Sequence, residues 1–236
     1  MFASLNRPDS LVKFAMPQAR VAVSEFSYSK GTEIFGENEP ADYVYQVAVG
    51  AVRSYKLLTD GRRQIGAFHL VGDVFGLENT AVHRFTAEAI VNTKVHLIRR
   101  ESLEVIAQDD VVVVRDLLSM TASNLRHAED HMLLLGRKTA LERVAAFLLE
   151  MDRRLTKAGF FALPMSRRDI ADYLGLTLET VCRALHHLYD RGILEFLGSN
   201  QRQIVVLDHE RLAELDLCGS VAVLGPTGVS CHGSKQ

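Results

Sequence analysis

The hydrophobic positions of this chain change period along its length, and each change predicts a new kind of element. From about Val21 to Arg100, apolar residues alternate with polar ones in short runs cut by Gly31, Gly36, Gly50, Gly61, Gly66 and Gly72. Runs such as Tyr43-Val44-Tyr45-Gln46-Val47 and Gly50-Ala51-Val52-Arg53-Ser54-Tyr55 predict strands, because successive side chains of a strand point to opposite faces. Asp60-Gly61 between such runs predicts a hairpin turn, since both residue types tolerate positive φ. Many short strands with regular turns predict a barrel or a sandwich.

After Asp109-Asp110, which can cap a helix and favour its positive end, the spacing becomes helical. Val111, Val114, Leu118, Thr121, Leu125, Ala128, Met132 and Leu135 follow alternating steps of three and four. Such a narrow stripe is a coiled-coil seam, so Val114, Leu118, Thr121, Leu125, Ala128, Met132 and Leu135 are expected at a dimer interface. The alternative is a single helix packing on its own domain. Gly136 punctuates the seam. Arg137 to Leu155 then resumes as an amphipathic helix with Leu141, Val144, Ala145, Leu148 and Leu149 inward.

Gly159 and Pro164 break the chain before two short helices, Ser166 to Leu174 and Leu178 to Tyr189. Ser166 with Asp169 three residues on resembles a capping box, and Thr177 is a good cap for the second helix. Gly175-Leu176-Thr177 supplies the tight turn between them, which makes a helix-turn-helix. After Gly192, the runs Ile193 to Leu197 and Gln203 to Leu207 around Gly198-Ser199-Asn200 predict a β-hairpin, the wing of a winged helix. Gly219 to Gln236 is Gly/Ser-rich and aperiodic and is read as a flexible tail, a natural protease entry point.

Composition narrows the function classes. A chain of 236 residues with 47% hydrophobic and 24% charged residues suits two modest globular domains. No apolar run approaches a membrane span, and Met1 to Ser10 lacks a secretory signal pattern, so no membrane partner and a cytoplasmic location are expected. The net charge of −2 gives no basic excess for nucleic acid, so local arginine placement must carry that case. Cys182, Cys218 and Cys231 form neither a disulfide framework nor a structural zinc site, and no metal is expected. With no P-loop, HExxH or GxSxG, no enzyme is expected either.

The stretch from Ser166 to Arg183, with Glu179-Thr180-Val181-Cys182-Arg183 at the start of its second helix, resembles the Crp–Fnr family of regulators. Gly31-Thr32-Glu33-Ile34-Phe35-Gly36-Glu37, Gly50-Ala51-Val52-Arg53 and Val71-Gly72-Asp73-Val74-Phe75-Gly76 fit the family's β-roll. The resemblance runs from about Val21 to Leu217 and is strongest to the FixK branch. It implies an α+β protein: a β-roll of the cyclic-nucleotide-binding, jelly-roll type over 1–108, a long dimerisation helix over 109–136, and a winged helix-turn-helix over 137–218. The tail covers 219–236.

Glu179 and Arg183, four residues apart, project from one face of the second helix. A carboxylate can accept from cytosine N4 and an arginine can donate twice to guanine, which suits the TTGA-type half-site that the resemblance implies. The alternative is a surface ion pair. Cys182, on the same turn, can meet a thymine methyl. Ser166, Arg167, Thr177 and Thr180 match family positions that touch phosphate, and Arg202 in the wing is a further phosphate contact; capping or solvation is the competing role for each. A thiol at Cys182 on that surface is also a candidate redox site, because its oxidation would set negative charge against DNA; an inert packing cysteine is the alternative.

The resemblance implies a homodimer on a palindromic site in double-stranded DNA, and an activator that meets RNA polymerase through a β-roll loop, here nearest Asn79 to Arg84. In the Crp branch a Gly-Glu pair and a later Arg-Ser hold cyclic AMP; here Gly76-Leu77 and Phe85-Thr86 stand instead. With no cysteine before position 182, an N-terminal iron–sulfur cluster cannot form. No cofactor is therefore expected. The alternative is a regulator of the same fold whose β-roll binds an unidentified effector, or haem through His69, His83 or His96.

Overall fold

The computed structural model describes residues 23–78, 80–198 and 201–217. The predicted strands are present as β1 (Ser24–Tyr28), β2 (Glu33–Phe35), β3 (Tyr43–Val49), β4 (Val52–Leu57), β5 (Arg63–His69), β6 (Val74–Phe75), β7 (Thr86–Ala89) and β8 (Thr93–Arg99). They form two four-stranded sheets, ordered β1-β8-β3-β6 and β2-β7-β4-β5. Most neighbours are distant in sequence and every pairing is antiparallel, which is jelly-roll rather than meander topology. Inward residues of both sheets make one apolar cluster: Phe35, Tyr45, Val47, Val52, Phe75, Ala87, Val95 and Leu97. The Asp60-Gly61 turn joins β4 to β5, with φ +82° at Gly61.

Two helices cover the outer face of the first sheet. Leu103 of α1 (Arg100–Asp109) and Met120 of α2 (Val111–Arg137) pack against Val44 and Ile98. The sequence pattern did not announce α1, because Leu103 is its one buried side chain and Arg99 gives it no side-chain cap. Asp110 does cap α2: its Oδ1 accepts from the backbone N–H of Val112 at 2.9 Å. The helix runs through Gly136 to Arg137, and α3 (Ala140–Leu155) starts three residues later than the periodicity suggested. Thr139 and Glu142 set that start with a reciprocal capping box.

Beyond α3 come β9 (Phe161–Ala162), α4 (Arg167–Leu174), α5 (Leu178–Asp190), β10 (Leu194–Leu197), β11 (Gln203–Val206) and α6 (His209–Leu217). The described residues group into two compact units, 23–133 with 163–182, and 134–162 with 183–217. In the second, β9 extends the wing into a sheet ordered β10-β11-β9. Phe147, Leu148, Met151, Leu194, Ile204 and Leu212 are buried there. Lys138 pairs with Asp216, and His209 Nε2 lies 2.9 Å from Asp152, tying α6 to α3 and the residues before it. Like α1, α6 was silent in the sequence, with Leu212 as its one fully buried described side chain. No described helix is long and apolar enough to cross a membrane.

Candidate nucleic-acid interface

The two helices of the motif are built as their residues dictate. Ser166 Oγ accepts from the Asp169 N–H at 3.1 Å, while Asp169 Oδ2 accepts from the Ser166 N–H at 2.9 Å and hydroxyl at 2.7 Å. That reciprocal pair fixes the first turn of α4. Gly175 ends the helix in the left-handed region, φ 62° and ψ 39°, where a side chain would be strained. Thr177 Oγ1 then accepts from the Thr180 N–H at 3.1 Å and starts α5. The helix buries Val181, Ala184, Leu185 and Leu188 and leaves Glu179 and Arg183 exposed.

The sites read from the sequence fall out as follows. Glu179 and Arg183 share the exposed face of α5 by their spacing. Cys182 is half-buried, and Arg167 Nη1 lies 3.6 Å from its Sγ. The Thr177 and Thr180 hydroxyls lie 2.8 Å apart, within hydrogen-bond reach. Ser166 spends its hydroxyl proton on Asp169, so its capping role is the one realised. Arg202 is half-buried immediately before β11. On α2, Val114, Leu118, Thr121, Leu125, Ala128 and Met132 are exposed and Leu135 is half-buried. The tail 219–236, Cys218, Cys231, Asn79 and the turn residues Ser199 and Asn200 lie outside the described residues.

A feature absent from the sequence reading lies beside α4. Arg53 of β4 and Arg63 of β5 both bind Asp169, and Arg63 also binds Asp172. Burial alone would raise the Asp169 pKa. The Ser166 hydrogen bonds and the charges of Arg53 and Arg63 outweigh it and hold the carboxyl below its usual range. Sequence reasoning saw Asp169 only as a cap partner. No local signal links it to strands about a hundred residues earlier.

Two positions that the resemblance ties to cyclic-nucleotide binding carry apolar side chains here. Leu77 packs beside the Val44–Ile98 cluster, and Phe85 lies under Gly66, whose Cβ would meet its ring at 3.1 Å. The carboxylate and guanidinium that such a ligand needs are replaced by apolar groups. Phe35, Tyr45, Phe75 and the fully buried His83 form a cluster of close rings, His83 stacked on Phe35 at 3.5 Å. His69 Nε2 is 2.8 Å from Ser54 Oγ, and His96 Nε2 is 3.5 Å from Glu25. Among the described residues, no group of three or more His, Cys, Asp or Glu could hold a metal ion.

The family comparisons agree with this geometry. Residues 142–215 match the Crp-like helix-turn-helix domain, and residues 25–110 match the cyclic nucleotide-binding domain. The chain is 40% identical over 189 residues to the nitrogen fixation regulation protein FixK of Rhizobium meliloti (strain 1021), covering 80% of this chain and 85% of that protein. It is 43% identical over 194 residues to the FixK of Azorhizobium caulinodans, covering 80% and 77%. The structure of FixK2 from Bradyrhizobium japonicum superposes with a TM-score of 0.80 at 68% identity, over 83% of this chain and 98% of that one. This chain belongs to the Crp/Fnr family, a family of transcription regulators and not of enzymes, and within it to the FixK-like branch.

Proposed function

We propose that this chain acts as a cytoplasmic homodimer that binds a palindromic TTGA-type site in double-stranded DNA and activates transcription with RNA polymerase. The observation that carries the reading is α5 itself. Its first turn is capped by Thr177, its apolar side is buried, and Glu179 and Arg183 stand exposed one turn apart. In a major groove that spacing would let Glu179 accept from cytosine and Arg183 donate to the neighbouring guanine, with Cys182 against a thymine methyl. Arg167, Thr177, Thr180 and Arg202 would meet phosphates and set the register, with Ser166 beside them at the α4 N-terminus.

Dimerisation through α2 is supported by the row of exposed apolar residues, including Leu118 at 67%, Leu125 at 59% and Met132 at 66%. A free helix would not leave such a stripe in water. The segment 79–84 is the nearest candidate for the polymerase surface; among its described residues Ala81, Val82 and Arg84 are exposed, while His83 is buried. Binding needs neither cyclic AMP nor an iron–sulfur cluster. The competing reading is an effector or haem held by the β-roll through His69, His83 or His96; the Nε2 atoms of His69 and His96 each have a partner, while His83 Nε2 is buried without a hydrogen-bond partner beside the Phe35 ring.

Control enters through Cys182. Peroxide would take its thiol to sulfinate or sulfonate, leaving a negative charge and two or three oxygens where DNA phosphates must approach, and a disulfide to another molecule would block docking. Turnover through the tail 219–236 is a second point of control.

The test is fluorescence anisotropy of the reduced chain on a duplex with two TTGA-type half-sites, against a scrambled duplex, with no effector added. Selective binding of two subunits is expected. Equal affinity for both duplexes would overturn the assignment of Glu179 and Arg183.

A further inference from the structure

We infer that Arg53 and Arg63, in the β-roll, are positioning residues for DNA binding: they grip the first helix of the reading head through Asp169 and Asp172 and touch no DNA themselves. The contact is extensive. Arg53 Nη1 donates to Asp169 Oδ1 at 2.7 Å while its Nη2 donates to Glu88 at 2.6 Å. Arg63 Nη2 lies 2.6 Å from the same Asp169 oxygen and 2.7 Å from Asp172 Oδ2, which Nε also reaches at 2.9 Å. Farther along α4, Gln64 Nε2 donates to the Tyr173 carbonyl at 3.4 Å, and the Phe68 and Tyr173 rings sit 5.1 Å apart. The grip therefore runs from the first turn of α4 to its last.

Charge arithmetic separates this role from phosphate binding. Two guanidinium groups face three carboxylates, those of Glu88, Asp169 and Asp172, so the cluster offers no net positive charge to a DNA backbone. Burial reinforces the point, because the Asp169 side chain is only 5% exposed and those of Arg53 and Arg63 15% and 21%. A buried pair of this kind is costly to break by removing one partner, since the other charge is left without compensation. Asp169 is also the capping partner of Ser166, so one carboxylate couples the cap to the β-roll. Its Oδ2 serves the cap and its Oδ1 serves the arginines.

The consequence is that the placement of α4 on the β-roll is set by side chains of the chain. Residues 163–182, which include α4 and the first residues of α5, belong to the same compact unit as the β-roll. Losing the grip would leave α5 intact but lower the fraction of molecules with α4 correctly held. Apparent affinity falls by that fraction. The inference rests on the proposed DNA reading by α5, and its test is arranged so that the two can fail separately.

The experiment uses the full chain as wild type, Arg63→Ala, Asp172→Ala and the double variant, with Arg63→Gln and Asp172→Asn as a milder pair should the alanine variants not fold. Affinity for the TTGA-type duplex is measured across a salt series, and hydrogen exchange is followed by mass spectrometry without DNA. Each single variant should lose about tenfold in affinity, and the double variant no more than either, with an unchanged salt slope. Exchange at 166–174 should quicken about tenfold while 93–99 is unaffected.

A salt slope reduced by about 0.9 per subunit in Arg63→Ala would make Arg63 a phosphate contact and overturn the inference. Additive losses would overturn it too, as would faster exchange with unchanged affinity, or no change in exchange. Failure of the wild type to prefer the TTGA-type duplex would count against the proposed function alone; the exchange arm would still decide whether the grip exists.

Discussion

Arg53 Nη1 lies 2.7 Å from Asp169 Oδ1, although the two residues are 116 positions apart in the chain. One belongs to a β-roll strand and the other to the capping box of α4, so a single carboxylate joins the β-roll to the first helix of the helix-turn-helix within one compact unit. Its value depends on its charge, which gives the first prediction.

The folded-state pKa of Asp169 is held below the ordinary 3.8. A depressed carboxyl contributes stability that is complete above its unfolded pKa and is lost as pH falls through the folded one. Wild type should therefore lose stability on acidification below about pH 4 more steeply than Asp169→Asn, which should be the less stable of the two at neutral pH by about 2 kcal/mol. Urea midpoints from pH 7 to pH 3 would check this; parallel curves would refute it.

Gly50 closes the turn between β3 and β4 with φ +93°, and a Cβ there would lie 2.5 Å from Thr93 Oγ1 and 2.7 Å from the Asn92 carbonyl oxygen. Thr93 cannot easily yield, because its hydroxyl accepts from the Ala51 N–H at 3.2 Å. Gly50→Ala should cost about 2–4 kcal/mol in chemical denaturation, whereas Gly61→Ala should cost about 1 kcal/mol. Gly61 has a similar φ of +82° but nothing within 4 Å of its Cβ. Equal losses at the two sites would show that strain, and not the collision, sets the cost.

Leu125 sits in the exposed stripe of α2 at 59% exposure. Leu125→Glu should weaken dimerisation by about a hundredfold, since it places a charge in an apolar seam, while leaving the far-ultraviolet circular dichroism unchanged. Sedimentation velocity at micromolar concentration should then show monomer. A variant that remains a dimer would place the interface elsewhere.

Cys182 is half-buried, with Arg167 Nη1 at 3.6 Å from its sulfur. Peroxide should lower wild-type affinity for the TTGA-type duplex by about tenfold or more, and Cys182→Ser should keep its affinity under the same treatment. Equal losses in both proteins would exclude Cys182 as the redox site.

Sequence reading recovered the elements whose residues carry their own instructions. The alternation in Tyr43–Val49, the capping box at Ser166, the left-handed Gly175 and the Thr177 cap are local, and each appears where its chemistry required. The short helices α1 and α6 were missed because one buried leucine apiece makes no periodic stripe. The start of α3 was misplaced because Thr139 and Glu142, not the hydrophobic period, set it.

By itself, then, the sequence determined the family, the two-sheet β-roll, the long helix and the exposed face of α5 that bears Glu179 and Arg183. The strands, the long helix and the face of α5 follow from periodicity, turn chemistry and caps, all of which act within a few residues, whereas the family and its β-roll rest on the resemblance carried by Ser166–Arg183 and the β-roll segments. Only the tertiary structure decided that Arg53 and Arg63 neutralise Asp169 and Asp172, and so that α4 is bound to the β-roll. An ion pair needs proximity in space, and an arginine on a strand carries no mark of the carboxylate it will meet a hundred residues later.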